Sequence, residues 1–176
     1  SYTGVPTLFH HALAQVCVQA KATPLSEGTT TWSVCISNVQ ISGVYSTGSL
    51  QLRNADPSSK GTRAWWTGSV ADTTPAWSIE GDADAIAGVS GTVDLDTDDQ
   101  AETVLEMRSV LPQPTSGMVL SFDYEIVTTY DASNYTREKA HATVNLSDFT
   151  SATGSWDMNQ KITYTITINP KSDLIL

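Results

Sequence analysis

Positive charge is scarce in this chain. Lys and Arg total 9 against 19 Asp and Glu, a formal net charge of -10 over 176 residues. Nucleic-acid binding needs a basic face to neutralise phosphates, and an anionic membrane surface repels an acidic protein, so neither is an expected partner. Long apolar runs are missing too. None reaches the roughly 18 residues that cross a bilayer as a helix, so no direct membrane span is expected. The opening residues 1–6, SYTGVP, have neither the basic nor the apolar region of a signal peptide, and the sequence reads as a mature protein or a cut-out domain.

Cysteine is limited to Cys17 and Cys35, whose spacing suits neither zinc ligation nor a C-x-x-C redox pair. Two structural thiols or one disulfide remain. Catalytic signatures are also wanting. There is no H-E-x-x-H, G-x-S-x-G or S-x-x-K, and the three histidines, His10, His11 and His141, suggest no triad. No acid and base stand at a spacing that would serve a hydrolase. No catalytic residue, no cofactor and no enzymatic activity are therefore expected. The acidic run 94–99, DLDTDD, sets Asp94, Asp96 and Asp98 at positions 1, 3 and 5 of a calcium loop. Asp99 stands where such a loop needs Gly, and Leu105 where it needs Glu, so this is not an EF-hand. The three remain weak calcium candidates beside the plainer reading of a solvated acidic loop.

What the sequence does hold is alternation. Thr, Ser, Val and Ile dominate, turn signals recur at short intervals, and no long segment has helical periodicity. The pattern predicts an all-β domain, a two-sheet antiparallel sandwich covering residues 1–176. Strands are expected at 8–22, 31–41, 46–52, 61–70, 77–79, 91–95, 102–111, 118–130, 136–146 and 161–168. The last, KITYTITI, places Ile162, Tyr164, Ile166 and Ile168 on one face and Thr163, Thr165 and Thr167 on the other. It reads as an internal strand of the sandwich. Trp32 and Trp156 read as core residues.

A hairpin centred on Ser26 would pair the first two strands. Its register sets Val16 against Ile36, Val18 against Val34, and Cys17 against Cys35 on the solvent side. That predicts either a cross-strand disulfide between Cys17 and Cys35 or two neighbouring thiols. Trp65, Trp66 and Trp77 form a candidate ligand platform, because adjacent tryptophans on a strand cannot both face the core. A carbohydrate-binding module using these tryptophans is the alternative reading of function.

Three blocks carry a family resemblance. LFHHALAQV at 8–16 resembles the F-x-H-A-L-(S/A)-x-(I/V/L) strand of the fimbrillin-like, or Mfa-like, proteins of Bacteroidales. VLPQ at 110–113 resembles their (I/L)-L-P-Q/P step before a long strand. WDMNQKITYTI at 156–166 resembles their W-x-x-G-x-x-Y-x-Y-x-(I/L) ending, with Asn159 in place of the usual Gly and Ile162 in place of an aromatic. The blocks keep the family's order. The resemblance implies a transthyretin-like, Greek-key sandwich, here the C-terminal domain of a longer surface lipoprotein. It implies a non-catalytic structural or adhesive module of a pilus, as stalk, tip or anchor, at the cell surface and outer membrane. Partners would be other fimbrial subunits, or a second copy, joined by β-strand addition, with host or bacterial surface glycans or proteins as further ligands. Leu174, Ile175 and Leu176 are then candidates for a strand-exchange segment.

Overall fold

The computed structural model describes residues 11–50, 77–95, 98–149 and 154–171. Twelve strands appear in chain order: β1 (Ala14–Ala22), β2 (Thr31–Val44), β3 (Thr47–Leu50), β4 (Trp77–Glu80), β5 (Asp84–Ala87), β6 (Val93–Leu95), β7 (Glu102–Val110), β8 (Gln113–Pro114), β9 (Val119–Thr129), β10 (Tyr135–Asn145), β11 (Ser155–Trp156) and β12 (Lys161–Ile168). A single 3-10 turn, Leu146–Asp148, follows β10. The expected strand at 61–70 lies outside the described residues.

Two sheets make up the body of the domain. One has three strands in the order β12-β1-β7. The other has the order β10-β9-β2-β5, with β6 also paired to β2. Alternation decides what each sheet buries, because successive side chains of a strand leave by opposite faces. Val16, Val18, Ala20 and Ala22 of β1 point inward from the first sheet. Val34, Ile36 and Ile41 of β2 and Leu120, Phe122 and Ile126 of β9 point inward from the second. All join one buried cluster, together with Tyr164, Ile166 and Ile168 of β12. This is the expected two-sheet sandwich, though not wholly antiparallel. β12 runs parallel to β1, from Gln15 opposite Lys161 to Ala22 opposite Ile168, without a register shift.

Strand β2 breaks its alternation at two places, near Asn38 and again between Ser42 and Val44. Its register against β9 shifts between Ser37 and Gln40, and Asn38 sits in the left-handed region with φ 52°. This is a β-bulge, and it lets Val39 turn inward two residues before Ile41. Val39 then exchanges main-chain hydrogen bonds with Gly88 and Val89, and Val89 N donates to Val104 O of β7 at 2.8 Å. Segment 88–89 thus ties the two sheets together at one corner. A Cβ on Gly88 would sit 2.4 Å from Val104 O, so only glycine fits there.

The expected hairpin between the first two strands is not formed. β1 and β2 lie in different sheets, and β1 is instead flanked by β7 and β12. The apolar pairs inferred for that hairpin do face each other's sheet, which is why the false register looked complete. Inward alternation is the same whether two strands are hydrogen-bonded side by side or stacked across a core. Cys17 and Cys35 alternate with inward residues, so they lie on opposite outer faces of the sandwich. Packed sheets stand about 10 Å apart, and outward side chains diverge from there, beyond the Cα separation a disulfide spans. Both thiols are free. Cys17 is covered on its own sheet, with its Sγ 3.2 Å from Thr163 Oγ1. Among the described residues β12 also differs from the internal strand expected. It is an edge, paired only to β1.

Thiol titration of the denatured, unreduced protein should find two free thiols per chain. A count of zero would overturn the placement of β1 and β2 in separate sheets.

Candidate functional site

The candidate residues scatter over the fold. Trp65 and Trp66 lie outside the described residues, and Trp77 opens β4, of which the main chain alone is described. Leu174, Ile175 and Leu176 lie outside as well. The described chain leaves β12 through Asn169, buried Pro170 and Lys171, whose ammonium pairs with Glu27 in the β1–β2 connection. Asp94 lies in β6, Asp98 is exposed and accepts a hydrogen bond from Gln100 N at 3.0 Å, and Asp96 is outside the described residues. Neighbouring Asp99 pairs with Lys21 of β1 at 2.6 Å. Among the described residues no three His, Cys, Asp or Glu side chains cluster closely enough to hold a metal ion.

Two of the sequence blocks resolve into specific contacts. Gln113 is the buried polar centre of the first. Its Oε1 accepts from Tyr45 N at 2.9 Å, and its Nε2 donates to Tyr45 O at 3.0 Å and to Leu111 O at 3.1 Å. One carboxamide thereby satisfies both main-chain groups of Tyr45, where the chain passes from β2 to β3. β8 pairs only with the two-residue β11, Trp156 opposite Gln113 and Ser155 opposite Pro114, and the prolines on each side of Gln113 have no N–H to satisfy in so short a pairing. In the second block, Trp156 is buried and donates from Nε1 to Tyr164 Oη at 2.9 Å. The Phe149 ring meets Tyr164 edge-on at 4.9 Å between centroids. Burial pushes the Tyr164 hydroxyl pKa up, partly offset by the Trp156 hydrogen bond. Asn159 lies between them with φ 63°, a left-handed turn residue. That explains its standing where glycine is usual, since Asn tolerates this conformation better than most side chains.

The outer face of the five-stranded sheet carries an arrangement that alternation alone does not reveal. Lys139, Glu125, Cys35 and Asp94 occupy one row across β10, β9, β2 and β6. Glu125 binds Lys139 at 2.7 Å and Arg137 at 2.8 Å. The Lys139 hydrogen bond, helped by the Arg137 charge, holds the Glu125 carboxyl below its usual range. One row along, Asp123 takes Asn38 Nδ2 at 2.7 Å and His141 Nδ1 at 2.7 Å, and the Asn38 bond leads in lowering its pKa. Burial, then the charges of Glu125 and Asp94, push the Cys35 thiol up, so it is a poor nucleophile. The groove over this row is lined by Cys35, Ser37 and Thr92 beside the paired charges. Those pairs already occupy one another, so the face is knit together by cross-strand contacts.

The edges of the sheets are the remaining candidate surface. Among the described residues β10 is an edge, whose outward row carries Arg137, Lys139 and His141. β7 is likewise an edge among the described residues, with two register shifts and the charges of Glu102, Glu106 and Arg108. β12 has neither charge between Ile162 and Ile168 nor a register shift.

The comparisons with known proteins agree with this architecture. The pattern of a fimbrillin-like family matches residues 3–176. Among curated proteins none matches the sequence. Among solved structures, the chain is similar to a fimbrial protein from Bacteroides vulgatus ATCC 8482, with a TM-score of 0.51 at 15% identity. The similarity covers 93% of this chain and 52% of that one, so this chain spans about half the length of that protein. At that identity the likeness is one of fold.

Replacing Gln113 with Ala leaves Tyr45 N–H and C=O without their partner in a half-buried place. It should cost about 1–3 kcal/mol, read from the shift in urea midpoint at unchanged slope. Folding depresses the pKa values of Glu125 and Asp123, so their pairs add stability above the ordinary carboxylate range. That contribution is lost as pH falls through the lowered values. Carboxyl titration by NMR should find both below their reference values. Lys139→Gln should raise the Glu125 value and leave Asp123 nearly unmoved.

Proposed function

The chain belongs to the fimbrillin-like family, and from that premise we propose that it is a non-catalytic module of a fimbrial subunit displayed at the cell surface. The observation that carries this reading is the family match over nearly the whole chain, joined by the fold-level likeness to a fimbrial protein. The relative's greater length supports a parent with a further domain, and the 8–16 block resembles the opening of the family's second half. In this reading the domain is the C-terminal part of a longer exported lipoprotein, serving as stalk, tip or anchor.

Subunits would join by strand addition. An extended segment of one chain supplies main-chain hydrogen bonds to an open sheet edge of another, and its alternate side chains set the register. The segment from Leu174 onward is the proposed donor. It is apolar and follows the last described strand closely. A structural role also accords with the paired state of the charged groups on the outer sheet face.

Assembly of the longer parent protein tests the proposal, by gel shift and electron microscopy, with and without protease treatment and with residues 174 onward deleted. SDS-resistant ladders that need both cleavage and the terminal segment are expected. A monomer under every condition would overturn strand addition.

A further inference from the structure

An unpaired strand edge is a template for another chain, and folded proteins usually blunt it. Three described edges of the sandwich are blunted. β10 carries outward charge, and β5 and β6 run for only four and three residues. β7 is bulged, charged and partly engaged by Val89 N at Val104 O. β12 is different. Over eight residues it keeps register with β1, and from Ile162 to Ile168 it has no charge, no proline and no left-handed residue.

The direction of its hydrogen-bonding groups follows from two contacts. Gln160 O accepts from Gln15 N, and Ile168 O accepts from Thr23 N, both at 2.8 Å. A residue's N–H and C=O leave a strand on the same side, and the side alternates. Even-numbered residues therefore face β1. Thr163, Thr165 and Thr167 turn their N–H and C=O to the open side, where no described strand meets them.

The row is also symmetric about Thr165. Read outward from it in either direction, apolar and threonine positions alternate identically as far as Ile162 and Ile168. We infer that this domain forms a two-fold dimer in which β12 pairs antiparallel with β12 of a second copy, with Thr165 on the axis. That register uses all seven uncharged residues. Thr165 meets Thr165 and Thr163 meets Thr167 as hydrogen-bonded pairs, while Tyr164 meets Ile166 and Ile162 meets Ile168 on the inward face. Lys161 falls opposite Asn169, so no like charges collide. The two three-stranded sheets become one of six strands, and the half-buried Ile162 gains an apolar neighbour. A second copy is the occupant because one sequence supplies both halves of the match, the requirement of an isologous contact. Such a contact closes on itself and extends no filament, so it is independent of the fimbrial reading.

Sedimentation of the 176-residue chain over a micromolar-to-millimolar series should show a monomer–dimer equilibrium. Thr165→Pro removes the N–H on the axis but no bond to β1, and should weaken association at least about tenfold. Thr165→Lys and Thr165→Glu should each be monomeric alone and should dimerise when mixed, an outcome that decides the matter even if the proline variant fails to fold. With Cys17 and Cys35 replaced by Ala, Thr165→Cys should cross-link under mild oxidation, because hydrogen-bonded pairs hold Cα atoms about 5.5 Å apart. Thr163→Cys should not, since its partner is Thr167. A wild-type chain that stays monomeric throughout, or a dimer that all these changes leave intact, would overturn the inference.

Discussion

Two sheets share one apolar interior, and only every second residue of a strand can reach it. This constraint of period two governs the rest of the molecule. It makes Val16, Val18 and Ala20 of β1, Val34 and Ile36 of β2, and Tyr164, Ile166 and Ile168 of β12 one buried set drawn from three distant parts of the chain. It also sends Cys17 and Cys35, one step out of phase, to opposite surfaces. Where the alternation has to change phase, the chain inserts a residue. The bulge at Asn38 does this in β2, and Val39 uses the resulting turn to bind segment 88–89 at the corner between the sheets.

Strands were legible in the sequence because alternation is local. The run from Ile162 to Ile168, the long strand with Leu120, Phe122 and Ile126 on one face, and its return through Ala142 and Val144 all lie where the pattern sets them. The burial of Trp156 was legible too, whereas Trp32 is only partly buried. Which strand lies beside which was much less legible. The false hairpin between the first two strands satisfied every apolar position, because facing across a core and pairing edge to edge demand the same alternation. A parallel first-to-last pairing leaves no local mark at all.

The polar contacts follow the same division. Gln113 could be flagged as part of a block, but its role requires Tyr45, distant in sequence. Asn159 in place of glycine was a local signal, and its left-handed backbone accounts for it. The row of Lys139, Glu125, Cys35 and Asp94 required a register across four strands and could not be assembled from spacing.

The sheet built on β1 has a consequence for the order of events as the chain folds. Its two ladders join β1 to β7 and to β12, so neither is a hairpin, and both close large loops. Closing such loops costs entropy before any contact compensates, which slows the pairing of distant strands. The hairpin of β9 and β10 has no such delay and can form as soon as its turn is made. A chain emerging N-terminus first thus holds β1 with both edges bare until residues 102–110 have followed it, and with one edge bare until residues 161–168 have. Throughout that interval it is a pliant thread, which β7 then covers on one side and β12, the last described strand, only later on the other.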